Sequence, residues 1–380
     1  MSAHRRFHVV AAISLVPFAA PVAAVPSARP ASAVSEEPAW HVEPVGEIVP
    51  FPPLAPLRGG GEVRVTGVSG ITWLGADRFV AVMDNSRHLL TFSLDLDPGC
   101  RPRSVRAVEA IALEEEHDFE DLAAWPPPAI DGVAAVTTLF LAEEDTPAVR
   151  RCHWPEARLD GGLRLPRVFQ QRRPNRGVEA VAADPDGRHV WAANEEALVP
   201  DGPPPTETTG TVVRFVRVPI DPPADPGRRA FQTGYAVEPP HRFTRLLDQP
   251  VYAGVVALMA LGEGRLIVLE RSGCPGIPPF ANRVVLVDTT GAPDVAALDG
   301  GLAATSGRLA RKTILWTGSI HANLEGLCLG PPVGDDRLLV GVTDDGGLPL
   351  PSGVVGFRLA QGDGALGTAT EGGPIPVTSP

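Results

Sequence analysis

The sequence predicts an all-β fold: a β-propeller of four-stranded blades, five in number, with a degenerate sixth blade as the alternative. Three observations lead there. Glycine (40) and proline (42) are dense among the 380 residues, so the chain turns often. Short β-rich runs alternate with Gly/Pro/Asp turns, while heptads and amphipathic stretches of about 12 residues or more are hard to find. One hairpin pattern returns five times along the chain.

The five units are "VSGITWLGADRFVAVMDNS" (68–86), "DFEDLAAWPPPAIDGVAAVTTLFLAEED" (118–145), "GVEAVAADPDGRHVWAANEEAL" (177–198), "YAGVVALMALGEGRLIVLERS" (252–272) and "NLEGLCLGPPVGDDRLLVGVTDDGG" (323–347). Each joins a small apolar run, a turn, a β-rich run and then an acid. Recurrence at roughly 50–75 residues indicates a repeat architecture. Further strand candidates follow the units, such as "TVVRFVRVPI" (211–220) and "FQTGYAVEPP" (231–240) after the third, which makes four strands per repeat. The last unit has a third strand, "GVVGFRLA" (353–360), but no fourth. The N-terminal segment "HVEPVGEIVPF" (41–51) is expected to supply it and close the ring without an open edge.

The flanks set the domain limits. Residues 1–24 combine Arg5 and Arg6, the apolar run "VVAAISLVPFAA" and a small-residue end "VAA", the pattern of a secretory signal cleaved after Ala24. "HRRF" also resembles a twin-arginine signal. A secreted or periplasmic protein is therefore expected, with a Pro/Ala/Ser-rich linker at 25–40, the propeller at 41–360 and a disordered tail at 361–380. The leader's apolar run is too short to span a bilayer, and no second run is long enough, so the mature chain is expected to carry no membrane span. The net charge is −12, and removing the two leader arginines leaves −14 on the remainder. A basic nucleic-acid footprint is absent. A monomer is expected.

In a propeller blade the first strand lines the central channel and the second runs antiparallel to it. The start of the first and the end of the second therefore meet on one face. That logic brings together Glu120 with Glu143, Glu179 with Glu195, and Glu325 with Asp344, while Asp84 and Glu270 arrive from second-strand ends alone. These eight carboxylates are the candidate metal ligands. Like charges crowded at one mouth repel, and some must take up protons unless a cation neutralises them. Hard oxygen ligands from several strands suit Ca²⁺; His is sparse near them and Cys does not cluster there, which argues against zinc or copper. Arg87, Arg176 and Arg271 sit beside the acids, where they can pair with them or grip phosphate. His117, next to Asp118, is either a proton carrier or a surface residue.

Other chemistries are not signalled. "GVSG" and "RSGC" are not G-x-S-x-G nucleophile elbows, and no dinucleotide or phosphate-binding glycine loop is present. Cys100, Cys152, Cys274 and Cys328 lack zinc spacing and leave two disulfides, in any of three pairings, or isolated buried thiols.

With these units in view, "GVEAVAADPDGRHVWAANEEAL", "GEGRLIVLERS" and "NLEGLCLGPPVGDDRLLVGVTDDGG" carry a resemblance to the phytase-like family, named for an esterase-like activity of phytase. The family's repeat begins a strand with acid-Gly-apolar and ends the next in Glu or Asp. The resemblance covers roughly residues 66–360. It implies a secreted propeller with phosphoester hydrolase activity on a small-molecule substrate, and carries Glu120, Glu179, Glu195, Glu270, Glu325 and Asp344 over as site residues. The chain departs from the pattern at "DFEDLA", where Asp121 replaces Gly, and at "GVVALM", which lacks the leading acid. The expected activity is metal-assisted hydrolysis with Glu179, Glu195, Arg176 and Arg271 as catalytic candidates. A non-catalytic Ca²⁺-stabilised propeller that binds a ligand or partner is the alternative, and a lactonase-type metal propeller is a third reading.

Overall fold

The computed structural model describes residues 39–128, 135–221, 230–298, 301–302, 309–318, 323–344, 352–362 and 371–372. The leader, most of the linker and most of the tail expected from the sequence lie outside the described residues.

Five antiparallel sheets form the blades. Blade 1 runs from its inner strand outward as Val68–Gly75, Arg78–Met83, Ser86–Leu96 and Pro102–His117. Blade 2 is Phe119–Trp125, Thr138–Glu143, Ala148–His153 and Arg158–Leu163. Blade 3 is Val178–Ala183, His189–Asn194, Val212–Pro219 and Phe231–Ala236. Blade 4 is Tyr252–Gly262, Arg265–Gly273, Phe280–Asp288 and Arg311–Gly318. Blade 5 takes Asn323–Val333, Asp336–Asp344 and Gly353–Gly362 from the C-terminal half, and its outer strand is the N-terminal Ala39–Pro50, paired antiparallel with Gly353–Gly362. Each inner strand packs beside the next, and that of blade 5 returns to that of blade 1, so the ring closes.

Local sequence explains the hairpins. In "ADPDG", the Asp184 carboxylate accepts the Asp186 amide at 3.1 Å, and Gly187 takes φ 68°, a left-handed conformation that favours glycine. The same Asp184 accepts the Trp191 indole N–H at 3.1 Å, which ties the turn to its own second strand.

The core is divided among the seams. Five clusters of buried apolar residues each join two neighbouring blades. Between blades 3 and 4, Trp191, Phe215 and Tyr235 are almost fully buried against Val255, Val268 and Val285. Large side chains buried this way contribute about 1.5–3 kcal/mol each. The four cysteines are free thiols, three of them buried, so the isolated-thiol alternative holds. No helix among the described residues is long and apolar enough to cross a membrane.

Candidate functional site

Every inner strand carries the same irregularity. The register with the second strand breaks after Val68, Phe119, Val178, Val255 and Leu324, so an extra residue opposes the partner at each place. These are β-bulges, which leave one residue unpaired and re-aim its side chain. The bulge positions hold Ser69 (with Gly70), Glu120, Glu179, Val256 and Glu325. The residues that follow the paired second-strand positions Met83, Glu143, Asn194, Glu270 and Thr343 are Asp84, Glu144, Glu195, Arg271 and Asp344. Apart from Gly70 and Val256, both series line one cavity of about 240 Å³ at a channel mouth, which Asn175, Arg176 and Asn323 also line.

The approach of the blades is tight here. A Cβ on Gly177 would lie 2.4 Å from the Glu144 carbonyl oxygen, and one on Gly254 would lie 2.6 Å from Glu195 Cγ. Glycine at or just before the start of these inner strands is what lets the carboxylate of the preceding blade reach the channel. The Gly177 amide donates to Glu144 Oε1 at 3.0 Å.

Of the acids expected at this mouth, Asp84, Glu120, Glu179, Glu195, Glu325 and Asp344 line the cavity, but Glu143 and Glu270 do not. The physical reason is the two-residue period of a strand: a one-residue offset turns a side chain to the other face. Glu143 instead pairs with Arg150 at 2.5 Å and His117 at 3.0 Å, in an adjoining cleft. His117 is partly buried in that cleft and does not line the main cavity. Glu270 is buried on the seam between blades 3 and 4, where it accepts from the Tyr235 hydroxyl at 2.5 Å and the Glu238 amide at 3.2 Å and lies 3.4 Å from Lys312 Nζ. Glu144 and Arg271 occupy the channel places assigned to them. Arg87 is exposed and does not line the cavity.

Two sets of carboxylates are close enough to share a cation. Asp84, Asp118 and Glu120 form one, and Glu144, Glu179 and Glu195 the other; within each set one oxygen per residue lies within 4.8 Å of the others. Burial, followed by the neighbouring carboxylates, drives Glu120 and Glu179 well above the ordinary carboxylate range. Burial pushes Asp118 and Glu144 up to about 7, with Asp84 adding to the first and Glu195 to the second. One oxygen each of Asp84 and Asp118 is buried without a hydrogen-bond partner. A hard cation fits this donor set of oxygens and orphaned lone pairs, because it would satisfy the oxygens and neutralise the crowding.

The arginines brace the same wall. Arg271 Nη1 bonds Glu325 and lies 3.3 Å from Asn323 Oδ1, while its Nη2 lies 3.3 Å from Glu195 Oε1. Arg176 Nη1 donates to Glu195 Oε2 at 2.8 Å. Burial opposes both charges, yet Glu195 and Glu179 help hold both guanidiniums above their ordinary value. Both stand over the Tyr252 ring, at 5.6 Å for Arg176 and 5.5 Å for Arg271, an aromatic post absent from the sequence-level site. Asp121 explains one departure from the repeat pattern: its buried carboxylate accepts the Val181 amide at 2.9 Å and its neighbour Leu122's at 2.8 Å, linking blades 2 and 3.

The profile of the phytase-like family, described as "Esterase-like activity of phytase", matches residues 63–347, three quarters of the chain. The chain belongs to the phytase-like family. Among solved structures, this phytase-like chain is similar to an endo-arabinase from Bacteroides thetaiotaomicron (11% identity, TM-score 0.44, covering 84% of this chain and 100% of that one). It is also similar to the periplasmic gluconolactonase of Pseudomonas aeruginosa (13% identity, TM-score 0.36, covering 86% and 97%). No curated protein matches it.

Proposed function

We propose that this phytase-like protein is an exported, Ca²⁺-dependent hydrolase of a small-molecule phosphoester. One observation carries the reading: five of the six carboxylates of the two triads line a single channel mouth with two arginines, and the sixth, Asp118, lines the adjoining cleft. Glu144, Glu179 and Glu195 would hold one ion, and Asp84, Asp118 and Glu120 a second. Bound Ca²⁺ would supply charge screening and an activated water.

The chain's own residues would do the rest. Arg176, the more exposed of the two arginines (27% against 9% for the side chain), would grip phosphate oxygens as charge builds in the transition state. Arg271 is a positioning residue, since its guanidinium spans Glu195 and Glu325 and fixes both carboxylates. Water attack at phosphorus would break the P–O bond to the leaving alcohol, which takes up a proton. No side-chain nucleophile is required, in keeping with the absence of a recognisable triad in the sequence.

A second reading rests on the ion pairs. Both arginines are engaged with cavity carboxylates, an arrangement equally suited to a Ca²⁺-stiffened binding face without turnover. Metal analysis of the purified protein, with phosphate release from monoesters, diesters and phytate with and without chelator, separates the two. Ca²⁺-dependent release supports the hydrolase. Bound metal with no release from any substrate supports the binding propeller.

A further inference from the structure

The channel has a second mouth of opposite character. Residues 71–73, 122–124, 181–183, 258–260 and 327–329, one stretch from the far part of each inner strand, line a cavity of about 320 Å³. Pro127, Pro128 and Pro185 add apolar rim. The starts of the same strands carry the acidic site, so the two cavities sit at opposite ends of one channel. Among the described residues no carboxylate lines this one, and the single charged lining residue is Arg337, from the second strand of blade 5.

Arg337 is unusual in this acidic chain. Its Nη2 donates to the Gly330 carbonyl at 3.1 Å, but its Nε is buried and bonds to nothing among the described residues. No carboxylate among the described residues pairs with it, although its neighbour Asp336 pairs with Arg358. Burial depresses its guanidinium below the ordinary value, as expected for a cation without a counter-charge. A buried donor left unpaired is unfavourable, and a partner would relieve it. The site thus offers an apolar chamber at the small end of the size range of ligand pockets and one unmatched positive charge.

We propose that this second mouth binds a small monocarboxylate with an apolar body, its carboxylate on Arg337 and its hydrocarbon among the inner strands. A carboxylate matches the planar guanidinium fork and supplies the missing counter-charge. An apolar body of about eight carbons suits the alanine, leucine and proline lining. The proposal is independent of hydrolysis at the acidic mouth, and its readout is binding alone.

Titration calorimetry with octanoate, and with octan-1-ol as the uncharged analogue, tests it on the full chain. The expected result is octanoate binding at least tenfold tighter than octan-1-ol, with the preference lost in Arg337→Met. Ala183→Phe, which fills the chamber from blade 3, should weaken octanoate at least tenfold and leave Ca²⁺ binding unchanged; it also keeps the proposal testable if Arg337→Met does not fold. Equal binding of the two ligands, no octanoate binding by the wild type, or octanoate affinity unmoved by Ala183→Phe would overturn it.

Discussion

Glu179 and Glu270 are both buried glutamates at corresponding ends of a hairpin, yet their surroundings give them opposite roles. Glu179 faces carboxylates, with Glu195 and Glu120 the main contributors after burial itself. Glu270 faces a hydroxyl, an amide and cations, with Lys312 and Arg283 within 3.6 Å. Glu179→Gln should therefore raise the melting temperature of the metal-free protein, because it relieves repulsion, while shrinking the gain on adding Ca²⁺. A lower metal-free melting temperature would count against the crowding argument. Glu270→Ala should cost roughly 3–5 kcal/mol in urea unfolding, since it strands buried partners, and leave Ca²⁺ affinity unchanged.

A pH signature follows from the residues pushed up to about 7. A carboxyl whose folded pKa is raised favours the folded state while protonated. That stability is complete below the ordinary values of 3.8 for Asp118 and 4.5 for Glu144, and is lost as pH rises through the folded value. Under the proposed function, Ca²⁺ would replace the protons as counter-charge. The gap in melting temperature between Ca²⁺-loaded and chelated protein should widen from about pH 4 to about pH 7. A gap independent of pH across that window would contradict the account.

At the scale of the element, the bulge decides the site. The hairpin repeats and the convergence of acids at one mouth were legible, because the apolar runs and turn residues stand out in each unit. The bulges were not, since nothing in "FED", "VEA" or "LEG" distinguishes a bulged glutamate from a paired one. Glu143 and Glu270 are the first acids after their apolar runs, but both are still paired strand residues, one position short of the channel. Aligning "MD", "EE", "NE", "ER" and "TD" as one column would have put Asp84, Glu144, Glu195, Arg271 and Asp344 together. Tyr252 carried no signal, because its role arises from two arginines on different blades. The N-terminal strand is a second element with a testable role. Val42 and Ile48 are fully buried in the core between blades 4 and 5, and the strand covers the edge of Gly353–Gly362. Deleting residues 41–51 should lower the melting temperature of the whole domain and broaden the transition; an unchanged transition would show that the strand is dispensable.

Across the whole molecule, the ring converts separate blades into one binding unit. The carboxylates of the two triads come from blades 1, 2 and 3 and the loops beside them, so a cation there cross-links blades that otherwise meet along apolar seams. Binding to the folded state alone stabilises by mass action, about 2.7 kcal/mol at a hundredfold excess over the dissociation constant. The claim on which the rest depends is that this mouth, in this register, holds the ion. Calorimetric titration of Ca²⁺ into chelator-stripped protein, comparing the wild type with Glu144→Gln and Glu143→Gln, tests it most directly. The account predicts saturable binding that weakens at least tenfold in Glu144→Gln and is unchanged in Glu143→Gln. No Ca²⁺ binding by the wild type, or loss confined to Glu143→Gln, would contradict it.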